Sequence, residues 1–313
     1  MVWDSLLQKR PWSTSKQSSG GWRLETDRIL VAIGYHGRSF HGSQRQPDIR
    51  TVEGSLIQAL MRLTWWGEDC LEMSSRTDAG VSARFNLARI DLPHSVSKQA
   101  THESIIRALN DHLPVGMVAL KISNAPPNCR VRNAEFRQYL YRLEVAEDWP
   151  EEYSSETVES ACTLFTGTHD FTNFSRPDGS DPVRTVDSCI PWLTEDGRTV
   201  GFVIKARSFI WNQVRRIASA ISAIASGRTS ILEVEEALNN PTEAVDLGRA
   251  PSQGLILWHI DHPDFKSNIP DDLPNAQNLS TRPSGLREYR RWLAMSDYQM
   301  SSILEREWLI RLN

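Results

Sequence analysis

Apolar positions recur along the chain with two spacings. Alternation, as at Val200, Phe202 and Ile204, predicts a strand, whereas spacings of three and four, as at Leu56 and Leu60, predict a helix. We expect strands over residues 28–35, 71–73, 84–92, 115–122, 136–146, 187–194, 199–206 and 255–260. We expect helices from Val52 with Thr51 as N-cap, from near Thr101, through Val158 to Phe165 with a stop at Gly167, from Phe209 to about Ser226, and between Ser230 and Pro241. Strands and helices that mix without strict alternation favour an α+β fold with a largely antiparallel sheet.

The order of these elements divides the chain into four parts. Residues 1–26 show no periodicity and are interpreted as an N-terminal extension. Residues 27–148 form a first unit, and residues 149–262 form a second unit in which the pattern partly recurs. Residues 263–313 begin with a linker rich in Pro, Asp and Asn and end with apolar positions that suggest a helical tail.

Composition restricts the class of protein. The chain has 313 residues, of which 40% are hydrophobic, so it can bury a core. It has no apolar run of the roughly 20 residues that cross a bilayer, and no signal-peptide profile, so we expect a cytoplasmic protein without a membrane partner. The four cysteines have no metal-ligand spacing, and we assign no metal: Cys70, Cys129, Cys162 and Cys189.

The formal net charge of -4 argues mildly against a nucleic-acid partner. Basic residues nevertheless cluster locally, in one group from Arg130 to Arg142 and in another of Lys205, Arg207, Arg215 and Arg216. Such groups are more often solvated faces than binding grooves, so charge alone leaves RNA binding open.

One short loop combines residues that suit either a turn or a catalytic site. Ser75-Arg76-Thr77-Asp78-Ala79-Gly80 lies between two predicted strands, where loops often hold catalytic side chains. Asp-Ala-Gly also suits a tight reversal, because Asp bonds to its own backbone and Gly tolerates positive φ. Local sequence alone favours the turn.

Six segments taken together change that interpretation. Arg76 to Gly80 resembles the R-T-D-A-G signature of the TruA family of tRNA pseudouridine synthases. Other segments resemble the family's motifs in the family's order: Tyr35–Gln46, Phe136–Tyr141, Gly167–Phe174, Ala206–Ile217 and Ala250–Leu255. The resemblance covers about residues 28–262. The sequence departs from the family at three serines, where the family usually has an aromatic residue (Ser43), glycine (Ser75) and histidine (Ser82).

The resemblance implies a fold, an activity and a site. The fold would be two ferredoxin-like halves sharing one sheet, with the active-site cleft between them. The activity would be the isomerisation of uridine to pseudouridine in the anticodon stem-loop of tRNA, at positions 38–40, without a cofactor and in a homodimer. Asp78 would be the nucleophile, Arg215 its guanidinium partner from the second half, and Tyr139 the active-site tyrosine. RNA contacts would come from Arg76, which would occupy the space left by the flipped base, and from Arg45, Lys205 and Arg207.

Two rivals stay open. A non-catalytic tRNA- or RNA-binding protein could keep the same fold, although the joint presence of Asp78, Tyr139 and Arg215 speaks against it. A carboxylate-based nucleosidase or glycoside hydrolase would need a second acidic catalyst, and no second acid accompanies Asp78 in its loop.

Overall fold

The computed structural model describes residues 25–266 and 268–312. Within them, nine strands form one sheet in which eight run in the order β4-β1-β3-β9-β5-β8-β7-β6 and β2 pairs with β3. The strands are β1 (Thr26–Tyr35), β2 (Leu71–Met73), β3 (Ser82–Pro93), β4 (Met117–Asn124), β5 (Phe136–Arg142), β6 (Gly167–Asp170), β7 (Val183–Leu193), β8 (Thr199–Ala206) and β9 (Leu255–Asp261). All strand pairs are antiparallel except β3 with β9.

The described residues also form seven α-helices, several with a side-chain cap. Thr51, Thr101 and Ser154 each accept a backbone N–H of the first turn, and Ser230 forms a full capping box with Glu233. The helices are α1 (Val52–Arg62), α2 (His94–Gln99), α3 (His102–His112), α4 (Ser155–Thr163), α5 (Gln213–Ala225), α6 (Ile231–Asn239) and α7 (Leu286–Leu312). Short 3-10 turns occupy Gly37–Ser39, Leu143–Val145, Thr172–Phe174 and Ser252–Gly254. The predicted α+β class with a mostly antiparallel sheet is confirmed.

Strand β3 of the first unit and strand β9 of the second unit pair at the centre of the sheet. The last strand, β9, lies between β3 and β5, and its parallel pairing with β3 runs through Ser82–Ile256 and Ala83–Leu257. Since β3 follows the Asp78 loop directly, this pairing brings the C-terminal end of the second unit beside that loop.

Successive residues of β1 show what covers each face of the sheet. Tyr35 points toward the Asp78 loop, where its hydroxyl lies 2.9 Å from Thr77 Oγ1. Gly34 points to the other side, where a Cβ would overlap the Trp308 indole of α7. The sheet therefore carries the motif loop on one face, here called the cleft face, and α7 on the other, here called the tail face.

The tail helix contacts the first unit, and the linker before it contacts the second unit. Trp308 donates to the Arg84 carbonyl at 2.7 Å, and Tyr289 donates to the Val145 carbonyl at 3.1 Å. The linker before α7 receives bonds from Trp258 at Asp272 and from Trp192 at Pro274. The tail thus forms part of the folded core.

Three local predictions differ from the structure: two helix bounds, and the strand expected over 136–146, which ends at Arg142. The helix expected from Phe209 begins at Gln213, because Asn212 has φ 63, a left-handed conformation that an α-helix excludes. The helix expected to stop at Gly167 ends at Thr163, and Gly167 opens β6. Neither α2 nor β6 was predicted. Most of the expected N-terminal extension, residues 1–24, lies outside the described residues.

Candidate active site

The motif loop connects β2 to β3 and turns sharply at its end. Gly80 has φ +85, which favours glycine, and the backbone then enters β3 at Ser82. Asp78 precedes this reversal, and its side chain is 27% exposed. The loop therefore presents a carboxylate that solvent can reach.

Three side chains hold the loop in place. Asn86 of β3 accepts from Ser75 N at 3.1 Å and donates to Ser75 O at 2.8 Å. Ser43 Oγ accepts from Thr77 N at 2.8 Å, while the Ser43 backbone N–H donates to Thr77 O at 3.0 Å. Tyr35 adds its bond to Thr77, and burial raises the pKa of this phenol to about 12. The residues before Asp78 are thus fixed on both sides.

Arg137 of β5 ties the loop to the second unit. Its guanidinium donates to Ser75 Oγ at 2.8 Å, to Ser74 O at 3.1 Å and to Arg207 O at 2.6 Å. Burial lowers its pKa, yet these bonds satisfy a cation that has little access to water. Arg137 therefore acts as a structural link, a role that its place in a basic cluster did not suggest.

Arg215 reaches Asp78 from the second unit. Its Nη1 donates to Asp78 Oδ2 at 2.9 Å, and its side chain is 11% exposed. Nε donates to the carbonyl of Ala250 at 2.9 Å, while the Ala250 N–H donates to the Arg215 carbonyl at 3.0 Å. Ala250 therefore fixes the Nε side of the guanidinium, while Nη1 binds the carboxylate.

A tryptophan that sequence reasoning missed completes the surroundings of the carboxylate. Trp211 Nε1 donates to Asp78 Oδ1 at 3.1 Å, so each carboxylate oxygen has its own donor. The left-handed Asn212 directs the chain from Trp211 into α5. Trp211 lies in the segment Ala206–Ile217 that resembles a family motif, and this was the available signal.

Tyr139 of β5 lies on the cleft face beside these groups. Its ring packs edge-on against Phe209, with ring centroids 5.2 Å apart, and it is 7% exposed. Burial is the largest cause that raises the pKa of Tyr139, and the Asp78 charge raises it further. The phenol therefore stays protonated and neutral at physiological pH.

Comparison of the sequence with known proteins shows a family. A family model described as tRNA pseudouridine synthase matches residues 161–263. The chain is 31% identical to tRNA pseudouridine synthase A of Pyrococcus furiosus over 77% of this chain and 86% of that protein. It is 32% identical to the enzyme of the same name from Pyrococcus horikoshii, over 78% and 88%.

The chain belongs to the TruA family of tRNA pseudouridine synthases. A further relative from Thermococcus sibiricus, also named tRNA pseudouridine synthase A, is 32% identical over 91% of this chain and 100% of that protein. Among solved structures, a chain of a Cbf5-Nop10-Gar1 complex aligns with 64% of this chain and 54% of its own length, at TM-score 0.30 and 12% identity.

The serines that depart from the TruA pattern all form hydrogen bonds around the motif loop. Ser43 takes the Thr77 N–H, and Ser75 takes the Arg137 guanidinium. Ser82 accepts from the backbone N–H of Gly37 at 2.9 Å. In this TruA family member, Ser43 and Ser75 hold the loop directly, whereas Ser82 joins the start of β3 to the 3-10 turn at Gly37.

Of the four residues predicted to contact RNA, three are exposed arginines and the fourth, Lys205, lies on the opposite face of the sheet from Asp78. Arg76 is exposed and lines a polar groove of about 350 Å³ with Ser43 and Arg132, while Arg45 and Arg207 are also exposed. Lys205 pairs in register with Gln138, which puts it on the tail face, 3.5 Å from the Phe136 ring centroid and 4.0 Å from Asp271. The structure does not bring Lys205 together with Asp78.

One group of possible metal ligands occurs in the described residues, although the sequence gave no metal spacing. Cys129, His262 and Asp264 lie within 4.8 Å of one another. His262 Nε2 donates to the Arg130 carbonyl, and Nδ1 accepts from Asp264 N, both at 3.1 Å. Both ring nitrogens are engaged, so the group ties the start of the tail to the core.

The described residues contain no helix that combines the length and apolarity needed to cross a membrane.

Proposed function

We propose that this chain isomerises uridine to pseudouridine in the anticodon stem-loop of tRNA, with Asp78 as nucleophile. The observation that carries the proposal is the 2.9 Å contact between Asp78 Oδ2 and Arg215 Nη1, which joins the motif loop to the second unit. Family membership and the names of the relatives support the substrate class.

The reaction moves a base without a change of oxidation state. The bond from N1 of uracil to C1′ of ribose breaks, a bond from C5 to C1′ forms, C5 loses its proton and N1 gains one. A carboxylate that adds transiently to the sugar or to the pyrimidine divides this exchange into easier steps. Asp78 suits this role because it is partly exposed, paired with a guanidinium and held at the end of a braced loop.

Arg215 supports the nucleophile in two ways. It neutralises the carboxylate in a cleft from which bound RNA would exclude water, where an unpaired charge is costly. It also fixes the position of Oδ2, because Ala250 holds the guanidinium from behind. We therefore assign Arg215 to positioning and charge compensation.

Tyr139 is proposed to contact the base rather than to act as an ionised base. Its ring is packed against Phe209, and burial raises its pKa, so the phenol is neutral. A neutral phenol is a weak proton acceptor, so a role for Tyr139 in removing the C5 proton would require a simultaneous transfer of its own proton.

The RNA must offer the uridine outside its stack, at a cost of a few kcal/mol. We propose that Arg76 occupies the vacated space or holds the backbone phosphate, since it is exposed two residues before Asp78. Arg45 and Arg207 are further candidates for phosphate contacts. RNA that enters the cleft face would not reach Lys205.

Several further features remain proposals, of which the homodimer rests on the family alone. We propose a homodimer, a cytoplasmic location, two units at residues 27–148 and 149–262, and a reaction without a cofactor. The alternative function is a non-catalytic tRNA-binding protein with the same fold, and the test below separates the two.

The test is release of tritium from tRNA transcripts labelled at uracil C5. We expect the protein to release label from the complete transcript and to release none when cytidine replaces the uridines of the anticodon stem-loop. Release from the substituted transcript would contradict the assignment of the substrate region. Tight binding without release from either transcript would favour the non-catalytic alternative.

A further inference from the structure

Trp211 has an unusual environment for its residue type. In the described part of the chain it is the tryptophan that stands exposed, at 41%, whereas Trp149, Trp258 and Trp308 are buried. Large aromatic side chains dominate binding surfaces because they cover much area with little loss of conformational freedom. An exposed indole beside a catalytic carboxylate is therefore a candidate for substrate contact.

Arg176 backs this indole. Its guanidinium carbon lies 4.2 Å from the Trp211 ring centroid, within the range of a cation–π interaction. The Arg176 backbone N–H also donates to the Trp211 carbonyl at 2.8 Å, so the two residues are fixed to each other through the main chain. Arg176 is exposed, and no carboxylate neutralises it among the ion pairs of the described residues.

The position of the pair specifies what it would bind. Trp211 Nε1 lies 3.1 Å from Asp78 Oδ1, so a group on the indole lies next to the reacting nucleoside. Single-stranded RNA is bound by aromatic rings on which bases stack, together with cations that follow the phosphates. An indole and an unneutralised guanidinium in fixed contact supply both parts.

We propose that Trp211 and Arg176 form a nucleotide subsite beside Asp78, in which an unpaired base flanking the target uridine stacks on the indole and its phosphate pairs with Arg176. This inference rests on the proposed function, because it takes the uridine in the cleft as its reference point. The subsite tolerates different bases, since every base offers a π face.

The test measures affinity for a tRNA transcript in an Asp78→Asn background, which prevents turnover. We expect Trp211→Ala to weaken binding by about 5- to 150-fold, the usual effect of losing one stacked base. Trp211→Phe retains a ring and is expected to bind within about threefold of its parent. Thermal unfolding of each variant checks that the fold is intact.

Salt dependence separates the two halves of the subsite. Arg176→Gln should reduce the slope of log affinity against log salt by about one, because one phosphate contact is lost. Trp211→Ala should leave that slope unchanged. The matched control is Tyr298→Ala on α7, where Arg38 lies 5.2 Å from another exposed ring, and we expect no change in affinity or slope.

Two outcomes would overturn the subsite. Trp211→Ala could bind as tightly as its parent, or Trp211→Phe could bind as weakly as Trp211→Ala, which would assign the effect to the indole N–H. Both outcomes leave the proposed function intact if the protein with Asp78 still releases tritium. Absence of RNA binding and of tritium release in the unmodified protein would instead refute the proposed function.

Discussion

Both faces of the sheet carry arginine–carboxylate pairs, but the pairs on the two faces differ in how far solvent reaches them. On the cleft face, Asp78 and Arg215 keep 27% and 11% of their side-chain surface exposed. On the tail face, Arg142 and Glu144 keep 0% and 3%, and Arg198 binds the second oxygen of Glu144. The Asp78–Arg215 pair is therefore partly exposed, and the Arg142–Glu144 pair is almost fully buried.

The buried group shows what a structural charge cluster looks like in this protein. Burial raises the pKa of Glu144, while the two arginines oppose that shift. Arg142 also packs its guanidinium 4.8 Å from the Trp292 ring centroid of α7. This carboxylate keeps only 3% of its side-chain surface exposed. The comparison teaches that exposure, rather than the presence of an ion pair, distinguishes the candidate nucleophile from the scaffold.

The largest effect is expected at the partly exposed pair. Arg215→Gln should lower kcat by about 10²- to 10³-fold, because the carboxylate loses its charged donor at the reacting centre. The kcat of Arg215→Lys should lie between those of the unmodified protein and Arg215→Gln, because lysine keeps the charge but loses the bond to Ala250. The control is the adjacent Arg216→Gln, whose partner Asp246 is 75% exposed, and its kcat should stay within about twofold. Equal losses of kcat in Arg215→Gln and Arg216→Gln would contradict a specific role of Arg215 beside Asp78.

On the tail face, loss of a charge should reduce stability. Arg84 is 2% exposed and pairs with Glu307 at 2.7 Å, so Glu307→Gln leaves a buried guanidinium without its anion. We expect a loss of about 2–3 kcal/mol in the free energy of unfolding, below the full buried-pair effect because Glu307 is 24% exposed. Denaturant unfolding measures it. Glu305→Gln, whose carboxylate is 54% exposed, should cost less than about 1 kcal/mol. Equal losses of unfolding free energy in Glu307→Gln and Glu305→Gln would show that burial of the ion pair does not determine its effect on stability.

The tail face should also make stability depend on pH. Burial is the main cause that lowers the pKa of His259 from 6.5 to about 4, and the Arg84 charge lowers it further. Between these values the unfolded chain binds a proton that the folded chain does not. The contribution of neutral His259 to the free energy of unfolding is therefore fully present above pH 6.5. As the pH falls to about 4, the free energy of unfolding decreases by up to about 3 kcal/mol.

His259→Gln cannot take up that proton, so its stability should vary less with pH over the same interval. Unfolding in denaturant at several pH values gives both curves. Parallel curves for the two proteins would contradict the assignment of this pH dependence to His259.

The smallest effect is expected at the brace of the motif loop. Ser43→Ala removes the acceptor of the Thr77 N–H next to Asp78, at a cost of about 0.5–1.5 kcal/mol. If this loosens the nucleophile, kcat should fall by about 2- to 10-fold. Thr163→Ala removes a hydroxyl bond on exposed α4 and should leave kcat unchanged. An unchanged kcat in Ser43→Ala would mean that Asn86 and Tyr35 hold the loop without Ser43.

Local patterns predicted most elements, because each depends on neighbouring residues. Thr51 capped the helix it was expected to cap, and Glu195-Asp196-Gly197 separates β7 from β8 as turn chemistry requires. The motif named Asp78, and the resemblance named Arg215 as its partner. That pairing is present in the structure, although the catalytic roles stay predictions.

Long-range contacts could not be predicted from the sequence. Trp211 reaches Asp78 only because Asn212 adopts a left-handed conformation before α5. Lys205 fell on the tail face because register with Gln138 sets its side, and a one-residue difference in register reverses the face. The tail's place under β1 and β3 likewise depends on contacts such as that of Trp308 with Arg84.

The most direct test of the central claim is single-turnover tritium release by Asp78→Asn with the protein in excess over tRNA. Saturating protein removes differences in binding, so the measured rate reports chemistry alone. We expect the rate to fall by at least about a thousandfold while affinity for the transcript stays within a few fold. A rate near that of the unmodified protein would contradict the assignment of Asp78 as nucleophile.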